Sequence, residues 1–191
     1  YQPQLDIASD QVIGLEALVR WQHPDKGLIS PADFIPIAEQ TGLIVPLTRW
    51  SLHATLRLCA PLLRARPGLA CSINLSPRAI LEHDVVAEFA SALSLWDVPA
   101  SALKAEVTET AFVSDTRALS AALLELHAMG VAISIDDYGT GYASMAYLRD
   151  FPVDEIKLDR SLVEDITANR RSRQLAAAAV SLAHGIGAQV V

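Results

Sequence analysis

The sequence predicts a parallel α/β fold of the (β/α)-barrel type, and three observations lead to this prediction. Short segments with apolar residues at every second position alternate along the chain with segments that have apolar residues at helical spacing. The loops between these segments are short, and polar side chains recur where the predicted strands end. The doubly wound alternative lacks its usual signature, because no glycine-rich phosphate loop follows the first strand.

Length and composition narrow this prediction. The chain has 191 residues, of which 51% are hydrophobic, enough to bury a core as one domain. A full barrel usually needs about 250 residues, and a strand begins close to the end of the chain, so we expect a barrel that lacks its C-terminal part. The net charge is −7 and no run of Lys or Arg is long enough to make a basic stripe, which argues against duplex nucleic acid as a partner. Cys59 and Cys71 lie in apolar patterns, which favours core thiols in a reducing compartment over a disulfide.

The predicted strands share period-2 alternation of apolar residues. They cover residues 1–7, 12–21, 69–75, 103–109, 131–136, 155–159 and 188–191. In the second of these strands, alternation places Glu16 on the same face as Arg20.

The predicted helices have apolar stripes at helical spacing, and several have recognisable ends. They cover residues 31–41, 46–64, 85–95, 115–129, 144–148 and 173–184. Ser30 is a good N-cap and Pro31 suits the first helical position, while Gly42, Gly130 and Gly185 are natural stops.

The stretch 134–142 is the most informative part of the chain. The buried strand before it ends with Asp136, a second acid follows at Asp137, and Gly139 and Gly141 allow a tight loop. Adjacent carboxylates repel each other unless a cation lies between them, which points to a divalent metal. A plain surface turn is the alternative, since Asp and Gly are common turn residues.

Polar side chains recur on the non-aliphatic face of the strands, close to their C-terminal ends, where the active sites of barrel enzymes lie. The set is Glu16, Asn74, Glu106, Asp136, Asp137 and Lys157. Oxygen ligands favour Mg²⁺ or Mn²⁺, and none of the five His residues stands in an HxH or HExxH spacing. Several acids around one point suit a two-metal site for phosphoryl transfer, in which Lys157 holds the attacking water.

Each member of this set also has an ordinary structural interpretation. Lys157 would form an internal ion pair with a neighbouring acid, and Glu16 would be a buried acid paired with Arg20. Asn74 would be a hydrogen-bonded strand end. The residues alone leave these alternatives open.

The segment 16–21, with sequence EALVRW, resembles the signature of the EAL-domain phosphodiesterases, which hydrolyse cyclic di-GMP to linear pGpG in bacterial second-messenger signalling. Further blocks resemble the family in the same order and cover essentially the whole chain. These blocks are residues 1–3 (YQP), 29–31 (ISP), 34–39 (FIPIAE), 74–76 (NLS), 106–109 (EVTE), 136–142 (DDYGTGY) and 156–159 (IKLD).

The resemblance implies a TIM-like (β/α) barrel whose first strand is antiparallel to the others, and it implies roles for individual residues. The implied metal ligands are Glu16, Asn74, Glu106, Asp136 and Asp137. Lys157 matches the residue that positions the nucleophilic water, and together with Glu16 and Asp136 it makes the implied catalytic group. Glu109 matches the acid that supports the loop after Asp137, and the residues near the dinucleotide are Gln2, Leu18 and Arg20.

Departures from the family pattern are mild within the chain. Tyr138, Ala143 and Met145 stand where Phe, Ser and Leu are usual. Family members continue past a strand like 189–191 into a block with a further metal-binding Glu, so residues 1–191 make an EAL domain that is incomplete at its C-terminus. The resemblance also implies a homodimer and fusion to an upstream sensor or diguanylate cyclase-like domain. It implies a cytoplasmic location, either as a free protein or as the cytoplasmic part of a membrane-anchored one.

Two other functions compete with metal-dependent hydrolysis. One is a catalytically inactive receptor or regulatory module for cyclic di-GMP, although degenerate relatives typically lose the acids that are present here. The other is a Schiff-base barrel enzyme that uses Lys157 as its nucleophile.

Overall fold

Strands and helices alternate along the chain in a computed structural model that describes residues 1–113, 116–140, 148 and 151–191. These residues fall into two compact units, Tyr1–Lys104 and Ala105–Val191. No helix in these ranges combines the length and the apolar character needed to cross a membrane.

The first unit has two strand pairs that lead into a parallel sheet. Strand β1 (Gln2–Asp6) pairs antiparallel with β2 (Gln11–Ala17), and β2 pairs in parallel with β5 (Ala70–Asn74). The expected antiparallel first strand is therefore confirmed. Between β2 and β5 in sequence, β3 (Trp21–His23) and β4 (Gly27–Ile29) form a separate antiparallel ribbon.

The prediction of one strand over residues 12–21 is wrong at its C-terminal end. Strand β2 ends at Ala17, and Trp21 begins the ribbon instead. The turn of the ribbon contains Pro24, and Gly27 closes it with a φ of 73° that side-chain-bearing residues rarely adopt. Periodicity missed this ribbon because its strands have only three residues each.

Four helices belong to the first unit: α1 (Pro31–Thr41), α2 (Ile44–Ala65), α3 (Pro77–Glu82) and α4 (Val85–Trp96). Helix α1 has the predicted ends, because the Ser30 side chain accepts a hydrogen bond from the Ala32 amide and Gly42 has a φ of 78°. Helix α2 begins two residues earlier than predicted. Helix α3 was not predicted, although Ser76 and Pro77 repeat the Ser-Pro start of α1.

The core of the first unit lies between α2, α4 and β5. The predicted α2 stripe of Leu52, Leu56 and Cys59 is buried, and Phe89 and Ile73 pack in the same core with no exposed surface. Cys59 and Cys71 are free thiols. Burial of an apolar side chain of this size stabilises a fold by roughly 1.5–3 kcal/mol, so this core holds the end of β5 firmly in place.

A polar cluster joins α2 to α4 at the edge of this core. Glu88 Oε1 lies 2.8 Å from His53 Nε2 and 3.1 Å from Arg49 Nε, and Glu88 Oε2 lies 3.3 Å from His83 Nε2. Trp96 donates its indole N–H to His53 Nδ1 at 3.2 Å, which leaves His53 Nε2 as the ring nitrogen that can donate to Glu88. Burial raises the pKa of Glu88, but the hydrogen bonds from the two His residues and the charge of Arg49 outweigh it and place that pKa below its ordinary value.

We expect Glu88→Gln to lower the free energy of unfolding at pH 7 by about 1–2 kcal/mol, because it removes a charged acceptor of several hydrogen bonds. The pKa of the Glu88 carboxyl is lower in the folded state than in the unfolded state. The ionised carboxylate therefore stabilises the folded protein above its unfolded-state pKa, and this stabilisation is lost as the pH falls through its folded-state pKa. Urea unfolding of both proteins at pH 7 and pH 3 measures this, and the difference should be smaller at pH 3 than at pH 7. Glu164→Gln, which removes an exposed partner of Arg160, is the control and should change little at either pH.

The second unit contains strands β6 (Leu103–Thr108), β7 (Ala132–Tyr138), β8 (Glu155–Leu158) and β9 (Gln189–Val190), of which β6 begins in the first unit. Their order in the sheet is β6-β7-β8-β9, and the β7–β8 and β8–β9 pairs are parallel. The helices are α5 (Thr116–Ala128), α6 (Arg160–Val163) and α7 (Arg170–Gly185), and a 3₁₀ turn covers Glu109–Val113.

Most of these elements match the prediction, and the differences lie at their ends. Strand β7 continues through Asp137 to Tyr138 instead of ending at Asp136. Helix α7 begins three residues earlier than predicted, because Asn169 caps it by accepting hydrogen bonds from the Arg171 and Ser172 amides. Of the helix predicted at 144–148, Leu148 is helical and the remainder lies outside the described residues.

The core of the second unit fills the space between α5 and the sheet. The predicted α5 residues Leu119, Leu123 and Leu126 are buried, and Ile133 and Ile135 of β7 are at most 2% exposed. Apolar side chains thus occupy one face of β7, which leaves the other face for its polar residues.

Candidate functional site

In the first unit, polar side chains meet where β2 and β5 end. Glu16 is the penultimate residue of β2 and Asn74 is the last residue of β5. The Asn74 amide nitrogen donates a hydrogen bond to Glu16 Oε1 at 3.2 Å. Gln2 is the partner of Glu16 in the antiparallel pairing of β1 and β2. Three of the predicted site residues are therefore neighbours in this unit.

Arg20 does not share a strand face with Glu16, in contrast to the prediction. Because β2 ends at Ala17, Arg20 follows the strand and donates a hydrogen bond from Nη1 to the Val19 carbonyl at 2.9 Å. Its guanidinium lies beside an apolar cavity of about 560 Å³. The cavity is lined by Val19, Arg20, Trp21, Phe34, Ile37, Ala38, Leu43, Leu47 and Trp50.

A smaller cavity also includes Arg20 in its lining. It has a volume of about 150 Å³, and its lining includes Tyr1, Leu18, Arg20 and Trp50. Leu18 and Arg20, both predicted to lie near a substrate, therefore line cavities in the first unit. The volume and the mainly apolar lining of the larger cavity are typical of small-molecule sites.

In the second unit, Lys157 on β8 lies between two carboxylates, one from the adjacent strand β7 and one from β6 beyond it. Its Nζ is 3.0 Å from Glu106 Oε2 on β6 and 3.2 Å from Asp136 Oδ2 on β7. The Glu106 side chain is fully buried, whereas those of Lys157 and Asp136 are 12% and 20% exposed. The ion pair that the sequence left open for Lys157 is therefore present. Two carboxylates and one ammonium leave this group with a net negative charge.

A β-bulge explains how two acids can follow one another at the end of β7. Ile135 pairs with Ile156 and Tyr138 pairs with Leu158, so β7 has one residue more than β8 over this interval. Asp137 has a φ of 56°, and its amide donates a hydrogen bond to Asp136 Oδ1 at 3.0 Å. The extra residue interrupts the strict alternation of faces that a regular strand would impose on adjacent residues.

Glu109 supports the segment after this bulge. Its Oε2 accepts hydrogen bonds from the Gly139 amide at 2.7 Å and from the Thr140 amide at 3.1 Å. Glu109 is only 3% exposed, so this carboxylate is held in a fixed position. A side chain at Gly139 would collide with Leu162, which explains the glycine. Gly141 and Tyr142, which also belong to the predicted loop, lie outside the described residues.

Sequence reasoning missed two polar pairs close to these groups. Ser134 and Glu155, two residues before Asp136 and Lys157 on the same strands, form a buried hydrogen bond of 2.9 Å. In the first unit, Ser76 donates a hydrogen bond to Glu39 Oε1 at 2.7 Å. Period-2 alternation could have indicated the first pair, because residues two apart share a face. The second pair joins distant parts of the chain and leaves no spacing signal.

The fold and these polar groups define a TIM-like α/β domain with acidic strand ends. The family model described as "EAL domain" matches residues 1–191. The chain therefore belongs to the EAL-domain family, the cyclic di-GMP phosphodiesterase family.

Two curated relatives come from Pseudomonas aeruginosa. The cyclic di-GMP phosphodiesterase PA2567 is 38% identical over 192 residues, and the cyclic di-GMP phosphodiesterase NbdA is 39% identical over 192 residues. Both matches cover 100% of this chain but only 32% and 24% of the relatives. The chain thus spans a third or less of the length of these relatives.

A solved structure extends the comparison to the fold. The PaMucR phosphodiesterase in complex with c-di-GMP superposes with a TM-score of 0.92 at 36% sequence identity, over 100% of this chain and 77% of that one. The predicted fold class is thereby confirmed as α/β and TIM-like, with an antiparallel first strand pair and an open sheet.

Proposed function

We propose that this chain is a metal-dependent phosphodiesterase that hydrolyses cyclic di-GMP to linear pGpG. The observation that carries the proposal is the placement of Lys157 of β8 between Glu106 of β6 and Asp136 of β7, close to the C-terminal ends of these strands. Barrel enzymes carry their chemistry at this end of their strands. The names of the relatives support the same activity and the same substrate.

The donor set fits a hard divalent cation. The proposal assigns Glu16 of the first unit and Glu106 and Asp136 of the second unit as carboxylate ligands, and oxygen ligands suit Mg²⁺ or Mn²⁺. The Lys157 ammonium neutralises part of the negative charge of Glu106 and Asp136, and opposite charge nearby keeps such carboxylates ionised, the form that binds a metal ion. Asn74 and Asp137 complete the proposed ligand set for two ions.

The reaction uses these residues in separate roles. Bound cations would neutralise the phosphate oxygens and lower the pKa of a coordinated water. Lys157 donates hydrogen bonds that orient the attacking water in line with the ester oxygen that leaves. Glu106 and Asp136 fix the position of the Lys157 ammonium, and Asn74 fixes that of Glu16. Cleavage of one ester bond opens the ring of cyclic di-GMP and gives pGpG.

The substrate lies along the first unit in this proposal. Gln2, Leu18 and Arg20 contact the dinucleotide, and the two cavities beside Arg20 receive its planar groups. Arg20 is the cation among their lining residues and is suited to a phosphate. Glu109 keeps the segment after Asp137 in the conformation that the second ion requires.

The same comparisons support a proposal for the setting of the domain. We infer that the chain acts in bacterial signalling as part of a longer protein with an upstream sensor or diguanylate cyclase-like domain, in the cytoplasm. The small fraction of each curated relative that the chain covers supports this inference. We also infer a homodimer as the working form.

Removal of divalent metal tests the proposal directly. We expect the full-length protein to convert cyclic di-GMP to pGpG in Mg²⁺ or Mn²⁺, to lose this activity in EDTA and to regain it when the metal is restored. Chromatographic separation of the two nucleotides measures the turnover.

The same experiment separates the alternatives. Binding of cyclic di-GMP without turnover in either metal would contradict the enzyme and favour a receptor. Turnover that persists in EDTA, or trapping of Lys157 by borohydride with a carbonyl substrate, would contradict the metal-dependent mechanism.

A further inference from the structure

The turn that follows β5 in the first unit is short and carries Asn74. Asn74 ends β5, Leu75 is 3% exposed, and Ser76 is already the N-cap of helix α3. Because only Leu75 separates Asn74 from this cap, a shift of Ser76 must also move Asn74. The hydrogen bond from Asn74 to Glu16 then moves with it.

Glu39, in the last turn of α1, holds Ser76 in place. Glu39 Oε1 accepts a hydrogen bond from the Ser76 hydroxyl at 2.7 Å, and the Ser76 hydroxyl oxygen accepts one from the Arg78 amide at 3.2 Å. The Arg78 guanidinium donates from Nη1 to the Glu39 backbone carbonyl. Both the side chain and the backbone of Glu39 are thus tied to the start of α3. Hydrogen bonds to ionised acceptors are the stronger class, which suits this carboxylate for fixing a turn.

The second unit uses a carboxylate in the same way. Glu109 Oε2 accepts the amides of Gly139 and Thr140 and so fixes the segment after Asp136 and Asp137. In each unit, a glutamate from another element therefore supports the segment next to the proposed metal ligands.

We propose that Glu39 is a positioning residue that acts through Ser76 to hold Asn74 and its partner Glu16 in the geometry that binds the divalent cation. The inference depends on the proposed function, because it assigns Asn74 and Glu16 to the metal site. Groups that orient metal ligands typically change metal affinity about 10-fold to 100-fold when they are removed.

The test uses the full-length protein and Mn²⁺ as the probe. Calorimetric titration without substrate should show that Glu39→Ala weakens Mn²⁺ binding about 10-fold to 100-fold. In turnover assays, the Mn²⁺ concentration for half-maximal activity should rise by a similar factor, while kcat at saturating Mn²⁺ falls much less. A role limited to folding would lower the melting temperature without changing the Mn²⁺ affinity of the folded protein.

Three further variants make the test specific. Glu39→Asp keeps the charge but has a side chain too short to reach Ser76, so it should weaken Mn²⁺ binding as well. If the Glu39→Ala protein does not fold, Glu39→Asp is the variant that tests the proposal. Glu39→Gln keeps an oxygen that accepts the Ser76 hydroxyl but loses the charge, so its Mn²⁺ affinity should lie between those of Glu39→Ala and the wild type. Glu125→Ala, at an exposed position of α5, is the matched control.

The outcomes are distinct. If Glu39→Ala binds Mn²⁺ as tightly as the wild type, the positioning role is overturned and the proposed function stands. If Glu39→Ala does not fold, the same conclusion follows from wild-type Mn²⁺ affinity in Glu39→Asp. Absence of Mn²⁺ binding by the wild-type protein overturns this inference, and absence of turnover in both Mg²⁺ and Mn²⁺ overturns the proposed function with it.

Discussion

Asp136→Asn is expected to lower kcat for cyclic di-GMP hydrolysis by about a thousandfold or more. The change replaces a carboxylate that lies 3.2 Å from Lys157 by a neutral amide of the same shape. A metal ion that loses a charged ligand is held less tightly, and its stabilisation of the transition state is worth several kcal/mol, where each 1.4 kcal/mol is a factor of about ten. Steady-state kinetics in Mg²⁺ and Mn²⁺ measure the loss.

The fold should survive this change. The amide oxygen of Asn can still accept the hydrogen bond that the Asp137 amide now donates to Asp136 Oδ1, so the bulge of β7 keeps its local support. Asp25→Asn, which removes an exposed carboxylate from the turn of the β3–β4 ribbon, is the matched control and should retain full activity. Glu16→Ala should cause a loss of the same order as Asp136→Asn. Undiminished turnover in either site variant would refute the metal assignment.

Alternation of residues along strands made most of the candidate site predictable. Glu106 and Lys157 both sit in short strands whose neighbouring residues are apolar, so period 2 alone assigns them to the polar face. The parallel fold class then brings the carboxyl ends of these strands to one edge. The contacts between Lys157 and its two acids agree with that reasoning.

Alternation also produced the clearest error, at Arg20. Strict alternation of faces would place Arg20 on the same face as Glu16 if the strand continued that far. The strand ends at Ala17, and the chain turns into the ribbon that begins at Trp21. A pattern of apolar residues cannot show where the backbone hydrogen bonds of a strand stop. The extra residue in β7 was hidden for the same reason, since a bulge depends on the partner strand as much as on its own sequence.

Contacts between distant parts of the chain were beyond the reach of a single sequence. The pair of Glu39 and Ser76 joins residues 37 positions apart, and the cluster around Glu88 joins α2 to α4. Each of these polar residues reads as an ordinary helix end or helix surface in the sequence. Only the packing of α1 and α4 decides which partners they have.

Lys157→Met is expected to lower kcat by about a hundredfold to ten thousandfold, the usual range for a residue that directs a proton or a nucleophile. Mn²⁺ affinity should be retained or increase, because the change removes an ammonium 3.0 and 3.2 Å from two carboxylates of the proposed metal site. In EDTA the variant should be less stable by about 3–5 kcal/mol, the usual cost of leaving a buried charge without its partner. Added Mg²⁺ should restore much of this stability, since a cation again compensates Glu106 and Asp136.

Three measurements on one variant therefore separate the two roles of Lys157. Turnover reports its role in the reaction, calorimetry with Mn²⁺ reports its competition with the cation, and urea unfolding with EDTA or Mg²⁺ reports its charge compensation. Lys26→Met, at an exposed position of the β3–β4 turn, should leave all three unchanged. A Lys157→Met protein that unfolds like the wild type in EDTA would show that the two carboxylates do not need this ammonium. A wild-type kcat in the same variant would remove Lys157 from the reaction, because no part of the rate would then depend on its hydrogen bonds to the attacking water.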